Sequence, residues 1–474
     1  MDYEELGLKI GLECHQQLET HKLFCNCPSI TNTDKVDYKI KRKLKSSLSE
    51  LGKIDIAAKY EELKNKTFIY EVNKDTSCFV ELDEEPPNEL NKEALKVALQ
   101  VALLFNSKIV DEIYIMRKIV IDGSNVSSFQ RTCLIAANGS INTSKGPVGI
   151  STICLEEESA KKIKEENNEV TYNLDRLGIP LIEVSTDANI KDPEHAKEVA
   201  SLIGMVLRST GKAKRGLGTI RQDVNVSIKG HPRVELKGFQ DLRAIPKTID
   251  NEIKRQIECL KSRKEIKPEV RKVESNFNST FLRPMPGSSR MYPESDIKPI
   301  RITKDMISQI KIPELLTERA VNIEKKYNLD QKLSREIISL NIPFDYYLEK
   351  YKLNPSLIAE LLIETPKEIK ARFNINPEKL TQKDFDFVFK ALEEKKINRE
   401  AAKDILLDIS QEKHIDLNKY KQADNKEIEN RLKEIINENK NASFSALMGI
   451  IMAEFRGKIS GKEVSNLLKK LIKN

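Results

Sequence analysis

The stretch TIRQDVNVSIK (219–229) decides the fold class. Its strict alternation sends Ile220, Gln222, Val224, Val226 and Ile228 to one face and Arg221, Asp223, Asn225 and Ser227 to the other. That period of two belongs to a strand with one apolar and one polar face. VGISTICLE (148–156) upstream repeats the alternation, and glycines punctuate the stretches between. A twisted, mostly antiparallel sheet with inserted helices is the expectation for the first part of the chain. Of the eighteen glycines only Gly449, Gly457 and Gly461 follow residue 300, and there the pattern turns helical. The class is therefore expected to be α+β, with a sheet-based domain over 1–300, a helical linker over 301–380 and a helical tail over 381–474.

Local signals place the helices. Asn91 is a cap for the apolar run from Ala94 to Phe105, and Asp192 caps a helix that starts at Pro193 and stops at Gly211. Another helix is expected from about Thr248 to Leu260. In the linker, Pro343, Pro355, Pro366 and Pro377 are expected to separate short helices. In EVSNLLKKL (463–471) the residues Val464, Leu467, Leu468 and Leu471 fall at helical spacing, with Ser460 and Glu463 as a capping box.

Composition narrows the class of protein. With 39% hydrophobic and 32% charged residues, the chain suits a globular protein and not a largely membrane-embedded one. The start, MDYEELGLKIG, carries no basic leader and no long apolar run, so a cytoplasmic location is expected. Seven cysteines, all within the first 259 residues, are an odd number for a disulfide framework and read as thiols or metal ligands. The formal charge of +7 is a small excess over many charges of both signs, so it does not by itself point to nucleic acid.

Chemistry-bearing residues gather on the strand candidates. In KIGLECHQQLE (9–19) Glu13, His15 and Gln17 share one face, while Leu12, Cys14 and Leu18 share the other. GIPLIEVSTD (178–187) carries a single carboxylate, Glu183, inside an apolar run, where it has to be paired, protonated or bound to a cation. VGISTICLEEESAKK (148–162) ends in Glu156, Glu157 and Glu158, which either join the same site or begin a solvated helix. A solvent-facing sheet also accounts for polar faces of this kind. If the faces converge, they form an oxygen-rich site with one nitrogen ligand, which suits magnesium or manganese better than zinc. Arg221 and Lys237 beside such a cation suit phosphoryl transfer. No Walker-type phosphate loop is present, and the glycines of KRGLGTIRQ (214–222) lead into a strand. No Ser, His and Asp set and no activated thiol or hydroxyl nucleophile stands out either. Cys25, Cys27 and Cys78 are candidate thiolate ligands for zinc with His21 as a fourth group, the alternative being three reduced thiols.

These segments together resemble the GatB and GatE family of tRNA-dependent amidotransferase subunits. The resemblance rests on LGLKIGLECHQQLETHKLFCNCPS (6–29), FVELDEEPP (79–87), MRKIVIDGSNVSSFQRT (116–132), LDRLGIPLIEVSTD (174–187), KRGLGTIRQDVNVSIKG (214–230), VELKGFQDL (234–242) and RMYPESDI (290–297). SALMGIIMAEFRGKISGKEV (445–464) looks like the tail shared by both subunit types, and HQQL with FQRT leans to the archaeal E type. The resemblance implies an ATP-using enzyme that turns glutamate carried on a glutamine tRNA into glutamine, through a γ-phosphoryl ester that ammonia displaces. It implies His15, Glu157 and Glu183 as catalytic residues and magnesium ligands, with Glu13 as a further ligand. Arg221, Asp223, Asn225 and Lys237 would orient ATP or the glutamyl end, and Arg456, Lys458 and Lys462 would meet the tRNA. The implied partner is an asparaginase-like glutaminase of the D type, in a heterotetramer with two copies of each chain. A B-type role with A- and C-type partners and a non-catalytic tRNA-binding role are the alternatives. Members of the E type carry an inserted domain before RMYPESDI, where this chain has only KSRKEIKPEVRKVESNFNSTFLRPMPGSS (261–289).

Overall fold

The computed structural model describes residues 2–31, 35–48, 52–239, 241–262, 266–287, 290–340, 342–376, 379–420, 425–439, 442–454 and 461–472. The chain divides into two compact units, Met1–Leu315 and Leu316–Asn474. As expected of an α+β chain, the first is built on a large sheet and the second is helical.

The 11-stranded sheet of the first unit is antiparallel except where Val234–Phe239 runs parallel to Glu269–Val273. Its central strand, Lys9–Gln17, is flanked by Pro180–Thr186 on one side and Ile220–Ser227 on the other, and Gly146–Glu157 lies beyond Pro180–Thr186. The alternation read from the sequence sorts these strands. Ile10, Leu12, Cys14, Ile153, Leu155, Ile182, Val184, Val224 and Val226 all enter one hydrophobic core. Three helices, Lys92–Leu104, Pro193–Ser209 and Ala244–Lys261, supply the other half of that core, so one face of the sheet is closed by them. Each of these aliphatic side chains contributes roughly 1.5–3 kcal/mol on burial, which fixes the register and with it the residues on the opposite face.

The caps are those the sequence announces. Asn91 accepts from the backbone N–H groups of Glu93 and Ala94, and Asp192 accepts from that of His195, with Pro193 in the first turn. Gly211 follows the second of these helices at φ +72°, a left-handed conformation that glycine adopts without strain. A 4-stranded sheet, containing Tyr38–Arg42 and Thr67–Val72, packs its own small core around Phe68, Tyr70 and Tyr172.

In the second unit one core runs from Ala320 to Leu407 and a separate one joins Leu432, Ile435, Leu447, Ile451, Val464 and Leu468. Helices on both sides of residue 380 share the first of these cores, so the packing does not break where the 301–380 and 381–474 segments were expected to meet. The first unit also continues to Leu315, past the expected limit at 300. Pro366 does not separate two helices: it lies inside the helix Pro355–Phe373, whose start Pro355 occupies. Pro343 stands at a helix start as expected, ahead of Phe344–Lys350, while Pro377 and Ser460 lie outside the described residues.

Candidate active site

The sheet face opposite those three helices forms the floor of a cavity of about 660 Å³. Pairing registers bring its polar residues together. His15 lies opposite Glu183 on one neighbouring strand and opposite Arg221 on the other, and Glu13 lies opposite Asp223. The His15 Nε2 is 3.2 Å from Glu183 Oε2 and 3.8 Å from Glu156 Oε1. The Ser185 hydroxyl donates to the other Glu183 oxygen at 3.2 Å. Two groups of ligand atoms lie mutually within 4.8 Å, namely His15, Glu156 and Glu183, and Glu13, His15 and Asp223. His15 belongs to both.

The electrostatics follow from crowding. Burial works against a charged imidazole, but the hydrogen bond to Glu183 and its charge outweigh it, and the His15 pKa is pushed up to about 9. Burial likewise opposes ionisation of Glu183, yet the hydrogen bond and charge of His15, with Lys118, hold its carboxyl well below the usual range. The Glu13 carboxyl is pushed up, by burial first and then by the charges of Glu183 and Glu235. Cations balance the acids. Lys118 Nζ donates to Glu156 at 2.6 Å, Lys237 Nζ to Asp223 at 2.5 Å, and Arg221 to Glu158 at 3.0 Å. Asn225 Nδ2 donates to Glu13 at 3.0 Å.

Glu157 is not brought into this cluster. Its place on the strand has the parity of Ile153 and Leu155, which point into the core, whereas Glu156 shares the parity of Cys154 and faces the cavity. The Glu157 carboxylate instead accepts from the backbone N–H of Arg131 at 3.0 Å and meets its guanidinium at 3.3 Å. Arg131 in turn donates to Glu294, as does Arg117, each at 2.8 Å. This is a buried structural network, and the strand parity in LEEES was the signal that singles out Glu156. Of the other expected site residues, His15, Glu183, Glu13, Arg221, Asp223, Asn225 and Lys237 converge. Glu156 and Glu158, two of the three acids read as either site residues or the start of a solvated helix, join them, as do Lys118 and Glu235, which the sequence did not single out.

A second cluster lies apart from the cavity. Cys25, Cys27, Cys78 and Glu81 hold ligand atoms within 4.8 Å of one another. The fourth group is Glu81, three residues after Cys78, and not His21, whose Nδ1 lies 2.8 Å from the Lys22 carbonyl oxygen and 2.9 Å from that of Cys25. The Cys25 thiol donates to Glu81 at 2.9 Å, and hydrogen bonds from Cys25 and Cys27 hold the Cys78 thiol far below the usual range. In the tail, Arg456 and Lys458 lie outside the described residues, and Lys462 falls in the first turn of the helix Gly461–Ile472.

Comparison with known proteins supplies the context of this geometry. Residues 8–308 match a family model described as the GatB/GatE catalytic domain, and residues 343–472 match one described as the GatB domain. Among similar proteins are three archaeal chains, each named as the E-type subunit of glutamyl-tRNA(Gln) amidotransferase. The one from Methanocaldococcus jannaschii is 37% identical over 627 positions, covering 100% of this chain and 99% of the relative. That from Methanosarcina barkeri is 36% identical, covering 99% and 98%, and that from Archaeoglobus fulgidus is 34% identical, covering 100% and 99%. The first alignment spans 627 positions against 474 residues here, so that relative carries a long stretch without a counterpart in this chain. With a catalytic-domain match over more than half its length and relatives aligned from end to end, this chain belongs to the GatB/GatE family.

Proposed function

We propose that this chain converts glutamate esterified to tRNA(Gln) into glutamine, activating the side chain with ATP and aminating it with ammonia made by a separate glutaminase. The observation that carries the reading is the meeting of His15, Glu156 and Glu183 on the floor of a cavity that also holds Lys118, Arg221 and Lys237. A carboxylate is a poor electrophile because it is charged and its oxygen leaves badly. Transfer of the ATP γ-phosphoryl group to the glutamate oxygen breaks the bond to ADP and removes both faults. Ammonia then attacks the carbonyl carbon, phosphate departs, and the nitrogen gives up a proton.

The donor set fits a hard divalent cation, since four carboxylates and one imidazole offer oxygen-rich coordination. His15, Glu156 and Glu183 would hold magnesium, with Glu13 and Asp223 on its other side. When bound, magnesium neutralises phosphate charge and steadies ATP. The protein's own groups do the rest. Lys237 and Arg221 place positive charge along the floor, Asn225 fixes Glu13, and Glu13, which burial and its neighbours keep ready to hold a proton, is the proposed acceptor from the attacking nitrogen. Cys25, Cys27, Cys78 and Glu81 would hold a structural zinc, completing the four ligands that such a site needs.

The same reading includes an asparaginase-like D-type partner, two copies of each chain, and work in the cytoplasm. Among the described residues no helix is long and apolar enough to cross a membrane. Basic groups of the tail, Arg456, Lys458 and Lys462, are the proposed phosphate contacts to tRNA. The deciding experiment supplies the purified chain alone with Glu-tRNA(Gln), ATP, magnesium and free ammonium. Gln-tRNA(Gln) is the expected product, and its absence with a properly folded chain would overturn the assignment.

A further inference from the structure

The cavity has a second chemical character beside its carboxylate cluster. Arg283, on the strand Ser279–Pro284, and Arg290, just ahead of the strand Met291–Pro293, line it together with Arg233. The lysines and arginine on the sheet floor are spent on carboxylates, Lys118 on Glu156, Lys237 on Asp223 and Glu235, and Arg221 on Glu158. By contrast, none of Arg233, Arg283 and Arg290 forms an ion pair with another described residue. Arg290 Nε donates to the Ile119 carbonyl at 3.3 Å, and Arg233 reaches only the Met285 sulfur, at 3.5 Å. Asp55, one of the acids whose charge reaches Arg290, has its oxygens engaged by backbone N–H groups, Oδ1 by Ala57 and Ala58 and Oδ2 by Gly287. Burial, and after it the charge of Arg283, push the Arg290 guanidinium below its usual range.

A withdrawn guanidinium beside a second one, neither in an ion pair with a described carboxylate although the charges of Asp55, Glu235 and Glu156 reach Arg290, is an arrangement that an anion between the two would relieve. Guanidinium groups stay charged in any protein environment and present a planar fork that matches phosphate oxygens. A triphosphate also has a reason to enter at this point, because the carboxylate side of the cavity repels it until a cation is bound. We propose that Arg283 and Arg290, with Arg233 at the rim, form an anion subsite that takes the terminal phosphates of ATP. This rests on the reading that the chain uses ATP. The two halves of the cavity then divide the work: the sheet floor offers ligands for the cation and the arginines offer counter-charge to the phosphates. A phosphodiester of the tRNA end is the competing anion, and the test separates the two.

The full-length chain is titrated with ATP, AMP and inorganic triphosphate in the presence of magnesium, and separately with Glu-tRNA(Gln). In the double variant Arg283→Gln with Arg290→Gln, ATP affinity is expected to fall roughly 10- to 100-fold, the worth of one or two charge-assisted hydrogen bonds. AMP affinity and tRNA affinity should change less than about threefold, since neither presents a terminal polyphosphate. Arg290→Lys should recover part of the loss. Should the double variant fail to fold, the unaltered chain still decides: inorganic triphosphate must displace ATP from it, and a failure to compete overturns the subsite. Equal ATP binding by variant and unaltered chain, an equal loss for AMP, or a loss confined to tRNA also overturns it. A chain that binds no ATP at all, while folded, refutes instead the parent reading of ATP use.

Discussion

Replacing Glu156 and Glu157 one at a time by Gln makes two adjacent carboxylates answer different questions. Glu157 has its oxygens on Arg131, at 3.0 Å to the backbone N–H and 3.3 Å to the guanidinium. Glu157→Gln keeps a carbonyl oxygen for the backbone donor and loses one charge, while Arg131 retains Glu294 at 2.8 Å. Removing one partner of a buried pair outright costs about 3–5 kcal/mol. Here the surviving hydrogen bond and the surviving carboxylate bring the cost nearer to that of one charged hydrogen bond, about 1.5–3 kcal/mol. Burial already pushes the Glu157 carboxyl above its usual range, against the pull of Arg131, which also moderates the loss. At roughly 2–4 °C per kcal/mol for a domain of this order, Tm should fall by about 3–12 °C. ATP-dependent activation of glutamate, assayed well below that Tm, should stay within about threefold, because no atom of Glu157 faces the cluster. Glu156→Gln should differ in its effect on activity. It removes the carboxylate that holds the buried end of Lys118 at 2.6 Å, so Tm should fall by a similar amount, but activation should drop at least roughly 100-fold, with weaker manganese binding by spin resonance. A chain that tolerates Glu156→Gln and loses activation with Glu157→Gln while folded would show that the strand runs with the opposite parity.

Two other outcomes are expected. His195 Nδ1 accepts from the Lys191 backbone N–H at 3.1 Å, and burial holds the imidazole pKa below its usual value, so its contribution to stability is full above about pH 6.5 and is lost as pH falls below that. Urea midpoints at pH 7 and pH 5 should therefore differ less in His195→Gln than in the unaltered chain, and an identical difference would remove His195 from the account. Purified chain should contain about one zinc, by metal analysis, that Glu81→Ala weakens and Cys78→Ser abolishes. Zinc content untouched by Cys78→Ser would place the metal elsewhere.

Much of the fold was legible because alternation and capping are local. Strand TIRQDVNVSIK, the caps Asn91 and Asp192, and the spacing of Val464 and Leu468 each need only a few neighbouring residues to be read. The convergence of His15, Glu183, Asp223 and Lys237 followed from the same alternation once the strands were assumed to lie side by side. What was not legible depended on phase or on distance. Choosing between Glu156 and Glu157 needed the phase of one strand relative to its core, and the run of three acids hid it. Glu81 sat three residues from Cys78 in plain view, but its approach to Cys25 is a matter of folding across 56 positions of sequence. Pro366 was read as a break because proline removes a backbone donor. Ile363 and Ile369, one on each side of it in the helix, are both buried in the unit's core, and that packing outweighs a local defect.

The strand Lys9–Gln17 is made first as the chain grows, yet one of its two hydrogen-bonded neighbours, Ile220–Ser227, is made more than 200 residues later, as the Glu13 and Asn225 pair shows with a separation of 212. Ribosomal synthesis therefore leaves the amino-terminal strand unpaired on that side for roughly the first half of translation; His15, Glu156 and Glu183 are made by then, and Arg221 and Asp223 join them only when the two distant segments zip together. A nascent chain stopped before residue 220 should carry His15, Glu156 and Glu183 without Arg221, Asp223 and Lys237, and protection against protease by divalent ions supplied during synthesis should strengthen after that point.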